Sequence, residues 1–265
     1  MTWNPRPYLA LARATARSAV VFRLQFALSL FSVLFQLVAM LAVWHALLSH
    51  KPLTGFTWPK MEVYLLVTFT AGAVVSNFSD FRISYKIRNG QVALDLVKPL
   101  DYQRARLAET VGGLGGELLS VLLVWAVGLA FGVRLDLPAL RYLALFAVSL
   151  VLLVLLKFTL TYLTGLLCFW TKNYLGIYWA RLAIVSLLSG ALVPLSLLPH
   201  WLGETAQWLP FAGMTSTPGL LLIGNATGGQ AYRLVAVQLV WAVLLWSAAR
   251  LAWRGAMRQV TIQGG

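Results

Sequence analysis

The chain has 265 residues, of which 60% are hydrophobic and only 11% are charged, and its mean hydropathy is +0.77. Soluble domains average about 45 to 50% apolar and about 25% charged residues, so this composition excludes an ordinary water-soluble protein. The 21 Lys and Arg against 8 Asp and Glu give a net charge of +13. On so apolar a chain, this excess indicates basic residues held on the cytoplasmic side of a bilayer, not a nucleic-acid partner.

The first element in chain order is an amphipathic helix over residues 5–23. At about 100° per residue, Arg6, Arg13 and Arg17 fall on one face and apolar side chains on the other. Such a helix lies in the membrane interface, with membrane lipids as its partners. A role as a surface anchor alone and an additional contact with a partner protein are both open. The apolar run that follows is too long for a secretory signal, so we expect it to be a retained span.

Six apolar runs come close to or exceed the roughly 20 helical residues that a bilayer crossing needs. With six spans, both chain ends lie on the same side. If that side is the cytoplasm, the only basic residues outside it are Lys51, Lys60, Arg134, Arg141 and Arg233. The positive-inside rule therefore predicts one all-α transmembrane domain over residues 1–265, with both termini cytoplasmic. The predicted spans are 24–48, 63–79, 107–133, 140–170, 175–198 and 229–253.

The longest predicted cytoplasmic loop contains a short helix. Asn89 is its predicted N-cap, Pro99 ends it, and Val92 forms an apolar i, i+4 pair with Leu96. We expect the region 87–99 to project towards a soluble partner; a solvated turn whose charges only orient the chain is the alternative. The residues expected to make this contact are Asn89, Gly90, Gln91, Leu94, Asp95, Leu96, Lys98 and Pro99.

Of the charged residues within the apolar runs, three lie farthest from the ends of the runs: Glu117, Lys157 and Arg181. A charge at the bilayer centre costs at least about 2.5 to 3.5 kcal/mol on insertion scales, so each is a functional candidate. Glu117 and Lys157 have similar predicted depths, and we hypothesise that they pair. In the alternative, Lys157 snorkels to the inner surface and Glu117 is neutral. Gly112 and Gly116 lie on the predicted span 107–133, which also carries Glu117, and they form a face for close helix packing.

Residues 199–228, between the fifth and sixth predicted spans, are too apolar for an ordinary loop and too rich in Pro and Gly for a span. We expect a re-entrant segment of short helices in the outer leaflet, with tryptophans at headgroup level. Trp201, Trp208 and Pro210 would form an outer gate. A static aromatic lid is the alternative.

The sequence carries no motif typical of a membrane enzyme. The nearest approach to a nucleotide-binding loop, 224–230, has Gln230 where a lysine is needed, and no metal or nucleophile motif is present. We therefore predict no catalytic, cofactor or metal residue in this chain.

Together, the amphipathic helix, the six spans, the loop helix and the re-entrant segment resemble a type 2 ABC transporter permease, the class that exports drugs, lipids and polysaccharides. More narrowly, Ile87, Gly90, Leu94 and the run Lys98, Pro99, Leu100 resemble the I-x-x-G … L-x-K-P-L signature of the ABC-2 family transporter proteins. The resemblance covers the whole chain in topology, and this short motif is its specific part.

The resemblance implies a division of labour. The chain would be the permease subunit of an exporter in a bacterial cytoplasmic (inner) membrane, paired with a second permease, identical or related. A dimer of separate cytoplasmic ABC ATPase subunits would bind ATP and Mg²⁺, and residues 90–97 would form the coupling helix that docks in a groove of that ATPase. Two rivals remain open. One is an ion-coupled secondary transporter that relays through Glu117 and Lys157, and the other is a non-transporting membrane assembly factor.

Overall fold

The computed structural model describes residues 5–19, 23–50, 56–75, 78–171 and 174–263, and these ranges are predominantly α-helical. Three short 3-10 turns occur in these ranges, at 167–169, 195–197 and 212–214. The helices are α1 (Arg6–Ala19), α2 (Arg23–His50), α3 (Trp58–Ala73), α4 (Phe78–Arg88), α5 (Val92–Leu96), α6 (Tyr102–Ala130), α7 (Leu140–Leu166), α8 (Tyr174–Leu188), α9 (His200–Trp208), α10 (Ser216–Leu222) and α11 (Gly228–Gln263).

Four helices of the described chain are long and apolar enough to cross a membrane, namely α2, α6, α7 and α11. The apolar helix α8 has 15 residues and α3 has 16, which is short of the roughly 20 that a straight crossing needs. The protein is therefore a multi-pass membrane protein. Six complete crossings stay a prediction, because α3 and α8 would have to cross with the help of the segments that follow them.

The second predicted span, 63–79, is wrong as a single helix. Helix α3 begins earlier, at Trp58, and ends at Ala73, and the next helix begins at Phe78. Its 16 residues rise about 24 Å. The last carbonyls of α3 accept hydrogen bonds from Lys157, so α3 ends beside the middle of α7. Val75 follows with a φ of 56°, a left-handed conformation that β-branched residues rarely adopt. The chain therefore carries a broken helix, α3 and α4, inside the bundle.

The fifth predicted span, 175–198, also ends early as a helix. After α8 the chain turns at Gly190, whose φ is +79°. The hydroxyl of the fully buried Tyr64 donates to the Gly190 carbonyl at 2.7 Å, and Thr215 Oγ1 donates to the Ser189 carbonyl at 2.6 Å. Helix α3 and the segment before α10 thus hold the end of α8 in place.

The segment expected to be re-entrant packs into the bundle. Residues 212–219 are buried, and α10 lies against α3 and α7. The amide of Gln238 in α11 donates to the carbonyls of Ser149 and Gly213, both at 2.8 Å. These bonds join α7, α11 and the segment, so its second half is part of the core. Whether it dips into the outer leaflet stays a prediction.

Helix α1 packs along α6. A Cβ atom placed on Gly112 would lie 2.2 Å from the backbone oxygen of Ala12, so only glycine permits this approach. The hydroxyl oxygen of Tyr8 accepts a hydrogen bond from the Asp101 N–H at 3.2 Å. Arg6, Arg13 and Arg17 are exposed on the opposite face. The apolar face of the amphipathic helix therefore rests on the protein's own span, a contact that the sequence did not predict.

We predict that Gly112→Ala destabilises the protein by about 1 to 3 kcal/mol, because the added methyl group collides with a backbone atom that has no rotamer to change. The matched control is Gly113→Ala, where a Cβ would meet no atom within 4 Å, and which should stay within about 1 kcal/mol of the original protein. The free energy of unfolding in detergent micelles measures both. Equal values for the two variants would contradict the packing of α1 on α6.

Candidate functional site

A cluster of charged side chains joins α5 to the neighbouring helices. The carboxylate of Asp95 accepts hydrogen bonds from Lys86 Nζ and Lys98 Nζ, both at 2.9 Å, and lies 3.3 Å from Arg106 Nη2. Arg106 Nη1 lies 2.8 Å from Glu109 Oε2. We call these five residues the Asp95 cluster. It ties the short helix α5 to α4 on one side and to α6 on the other.

Arg106 is the buried centre of this cluster. Its side chain is only 6% exposed, and its guanidinium lies 4.9 Å above the ring of Tyr102. Tyr102 stacks on Trp253 of α11, with ring centroids 4.2 Å apart. A contiguous set of ionic and aromatic contacts therefore leads from α5 through α6 to the last helix.

The structure corrects the predicted details of the loop helix. The helix runs over Val92–Leu96, its N-cap is Gln91 with no side-chain capping bond, and the Asn89 cap is therefore wrong. Val92 is buried and Leu96 partly buried in the cluster around Ile83, so this apolar pair faces the protein. The apolar side chains that point outward are Leu94, 70% exposed, and Val97, 84% exposed.

The other predicted contact residues differ in exposure. Asn89, Gly90, Gln91, Lys98 and Pro99 are exposed around α5, whereas Asp95 is half-buried. Gly90 has a φ of +68°, and a turn between α4 and α5 in this conformation favours glycine. The region therefore presents exposed backbone and apolar side chains on a helix whose inner face is held by ion pairs.

The charge of Asp95 is stabilised by its neighbours. Burial alone would raise the pKa of this carboxyl, but the hydrogen bonds from Lys86 and Lys98 and the charge of Arg106 outweigh burial and hold the pKa below its ordinary value of 3.8. The carboxylate is therefore ionised at neutral pH, and the folded state gains stability from that charge.

The two intramembrane charges of α6 and α7 meet at the end of α3. Lys157 Nζ donates to the carbonyls of Ala71 at 2.9 Å, of Gly72 at 2.7 Å, and of Val74. Glu117 Oε2 accepts from the Val75 N–H at 2.7 Å. The end of a helix leaves carbonyl and N–H groups without hydrogen-bond partners, and lipid hydrocarbon cannot supply any. Here Lys157 supplies the donors and Glu117 the acceptor. Direct pairing of Glu117 with Lys157 stays a prediction.

One large cavity, of about 1490 Å³, brings the intramembrane charges together. It runs between α2 (Phe26 to Gln36) and α8 (Tyr174 to Ser186), and we call it the lateral groove. Glu117, Lys157 and Arg181 all line it, as do residues of α4 near the Asp95 cluster and Thr215 before α10. The groove therefore links the α5 end of the bundle with the segment before the last helix.

The predicted outer gate residues lie at the opposite end from α5. Trp201 and Trp208 on α9 are 71% and 58% exposed, and Pro210 is buried. The indole N–H of Trp241 donates to the Trp208 carbonyl at 2.7 Å, and the guanidinium of Arg233 lies 5.5 Å from the Trp208 ring centroid. Helix α9 is thus anchored to α11, and gating by these residues stays a prediction.

Lys86, Arg106 and Glu109 were missing from the residues predicted to form the site. One signal could have found them: Asp95 is the only acidic residue between Asp80 and Asp101, in a strongly basic stretch. A single acidic side chain on a short apolar helix, such as Asp95, usually needs basic partners when it is buried. Which basic residues supply them depends on the packing of α4 and α6.

Comparison with known proteins gives one positive finding. The model of a family described as ABC-2 family transporter protein matches residues 20–264 of the chain. The comparison with curated proteins finds no significant match. The family match covers nearly the whole chain, including α2 to α11, the Asp95 cluster and the lateral groove.

Replacing the central arginine should release α5. We predict that Arg106→Gln lowers the free energy of unfolding by about 3 kcal/mol, because it leaves Glu109 half-buried without its ion-pair partner and removes one partner of Asp95. Arg104→Gln, an exposed neighbour on α6, should stay within about 0.5 kcal/mol. Denaturant titration in micelles measures the loss, and limited proteolysis at α5 shows its release. If both variants behaved alike, the cluster would not hold α5.

The Asp95 cluster should also make stability depend on pH. The folded-state pKa of Asp95 is lowered, so its contribution is fully present above the pKa of the unfolded chain and is lost as the pH falls through the folded-state value. The difference in unfolding free energy between the original protein and Asp95→Asn should be constant near neutral pH and shrink below about pH 4. Asp136→Asn, in an exposed loop, serves as control. A difference that grew on acidification would refute the ionised cluster.

Proposed function

The chain belongs to the ABC-2 family of transporter proteins, and on that premise we propose that it is the membrane-spanning permease subunit of an ATP-driven exporter. The family is a membrane component of ABC transporters, which implies an ABC ATPase as partner. In the proposal, two permeases, identical or related, form the translocation path in a bacterial inner membrane. Two separate ATPase subunits on the cytoplasmic side bind ATP and Mg²⁺, and this chain supplies no catalytic residue.

The observation that carries this proposal is the construction of α5. Leu94 and Val97 are exposed at the α5 end of the bundle, where no other described helix covers them, while Asp95 on the same helix is fixed by three basic side chains. Exposed apolar side chains on a firmly held helix are suited to insertion into a groove of a partner protein. We therefore assign α5, with its flanking residues 87–99, as the coupling helix.

The contacts behind α5 suggest how motion would pass into the membrane. Movement of the ATPase dimer on ATP binding would displace α5. The Asp95 cluster would carry this displacement through Arg106 into α6 and through Lys86 into α4. Helix α4 follows the break after α3, where Lys157 and Glu117 hold the backbone. The displacement would thus reach the wall of the lateral groove.

The lateral groove is the proposed path for the cargo. It extends from α4 beside the coupling helix to Thr215 before α10. A second permease facing the groove would close the path on its open side. Trp201 and Trp208 would then lie near its outer exit as the proposed gate.

We predict that Leu94→Asp abolishes ATPase docking while the protein still folds, because Leu94 is exposed in the free chain and an unpaired charge would be buried in the complex. Recovery of the co-expressed ATPase with the purified permease should fall at least about tenfold, equivalent to about 1.4 kcal/mol. Leu137→Asp, 63% exposed in the loop before α7, should bind ATPase like the original protein. Unchanged docking and transport in Leu94→Asp would favour the assembly-factor alternative.

The ion-coupled alternative makes the opposite prediction about energy supply. The proposed exporter should require the ATPase, and its transport should be blocked by vanadate. Reconstitution of the chain in liposomes, with and without the ATPase, distinguishes the two. Full transport by the chain alone under an ion gradient would overturn the proposal.

A further inference from the structure

The charges that line the lateral groove are strongly unbalanced. Among the residues whose side chains the structure describes, two acidic ones, Glu109 and Glu117, line it. Much of their hydrogen-bonding capacity is used within the protein, since Glu109 pairs with Arg106 and Glu117 accepts from the Val75 N–H. The groove therefore has a positive potential that favours a negatively charged ligand. The basic residues that line it are Arg82, Lys86, Arg88, Arg106, Lys157 and Arg181.

Two of these basic residues remain available to a ligand. Arg82 and Arg88 on α4 are exposed and form no hydrogen bond or ion pair with any residue in the described ranges. Each guanidinium offers planar donors that match a phosphate, sulfate or carboxylate group. Lys86, Arg106 and Lys157, in contrast, already bind groups of the protein, and the guanidinium of Arg181 lies 5.6 Å from the ring centroid of Tyr178. The available positive charge is thus concentrated on α4, near the α5 end.

Most of the remaining groove surface is apolar, although hydroxyl side chains such as Ser29 and Ser186 also line it. Helix α2 contributes Leu30 and Val33, and α8 contributes Leu182 and Val185 on the other side. The volume of about 1490 Å³ exceeds the roughly 300 to 1,000 Å³ of typical small-molecule pockets. A ligand that fills this space has an acidic head at α4 and a long apolar body that extends between α2 and α8.

We propose that the lateral groove binds an anionic amphiphile as its transported cargo, with the acidic head at Arg82 and Arg88. The inference rests on the proposed function, because a ligand of the groove is a cargo only if the protein is a transporter. It assigns a substrate class from charge and shape: an acid group joined to a hydrocarbon or aromatic body.

Binding is tested first, with the full chain in a neutral detergent and no ATPase. The probes are oleoyl lysophosphatidic acid and oleoyl lysophosphatidylcholine, which share one acyl chain and differ in net charge. The acid should bind at least about tenfold more tightly, equivalent to about 1.4 kcal/mol, because hydrogen bonds to charged groups are stronger than those between neutral groups. Isothermal titration or native mass spectrometry measures the two dissociation constants. Equal affinities would overturn the proposal.

The variants locate the site. The double variant Arg82→Gln, Arg88→Gln should bring the two affinities within about threefold of each other. The control Arg134→Gln, Arg254→Gln removes the same charge from exposed positions that do not line the groove, and it should keep the preference. An equal loss in both double variants would show a general effect of net charge and would also overturn the proposal.

A second measurement distinguishes a cargo from a resident lipid. In proteoliposomes that contain the partner ATPase, ATP should move the labelled lysophosphatidic acid to the leaflet opposite the ATPase, where albumin extracts it. The single variant Arg82→Gln, which lies outside the proposed coupling region 87–99, should keep ATPase docking and slow this movement. Acid that binds but stays in place during ATP hydrolysis would overturn the cargo assignment. Failure of the ATPase to bind the original chain would instead refute the proposed function, and the first measurement would still report the groove's charge preference.

Discussion

The absence of water in a bilayer constrains every interruption of the helices in this protein. A helix that ends inside the bundle frees carbonyl and N–H groups that only the protein can satisfy. At the end of α3, Lys157 binds three carbonyls and Glu117 binds an N–H. At the turn after α8, Tyr64 binds the Gly190 carbonyl, and before α10 Gln238 binds that of Gly213. Buried polar residues therefore mark the places where the chain departs from a simple bundle, and those places line or adjoin the lateral groove.

The α5 end of the bundle is built on a different kind of interaction. Around α5, the contacts are ion pairs and stacked aromatic rings, and the central arginine is almost fully buried. Removing one member of a buried ion pair costs more free energy than forming the pair contributes, because the remaining partner is left as an unpaired charge in the protein interior. This asymmetry makes the connection between α5 and α6 stiff against small displacements. In the proposed function, this stiff connection at the coupling helix and the polar contacts at the helix breaks would together transmit a displacement of α5 along the bundle.

Sequence patterns predicted the long elements well and the short-range details poorly. As helices, the apolar runs at 24–48 and 140–170 match α2 and α7 closely, because continuous hydrophobicity needs no tertiary information. The prediction of a single helix over 63–79 was wrong, because the apolar residues of this run fit a continuous span equally well. The helix ends at Ala73, and the contacts of Lys157 and Glu117 with the backbone after it cannot be seen in the local sequence. The outward residues of the loop helix were mistaken for the same reason: i, i+4 spacing shows that Val92 and Leu96 share a face, but only the packing of Ile83 shows that this face is inward.

The contact of α1 with α6 has a consequence for the order of membrane insertion. Helix α1 precedes its docking surface by about ninety residues of chain, so it is synthesised long before Gly112 is available to receive Ala12. During that interval its apolar face needs another apolar environment, and the membrane interface is the one at hand. The same amphipathic pattern then serves twice, first on lipid and later on protein. Helix α1 can exchange the bilayer surface for α6 only after α6 has been made, so it reaches its final place later than its position in the chain suggests.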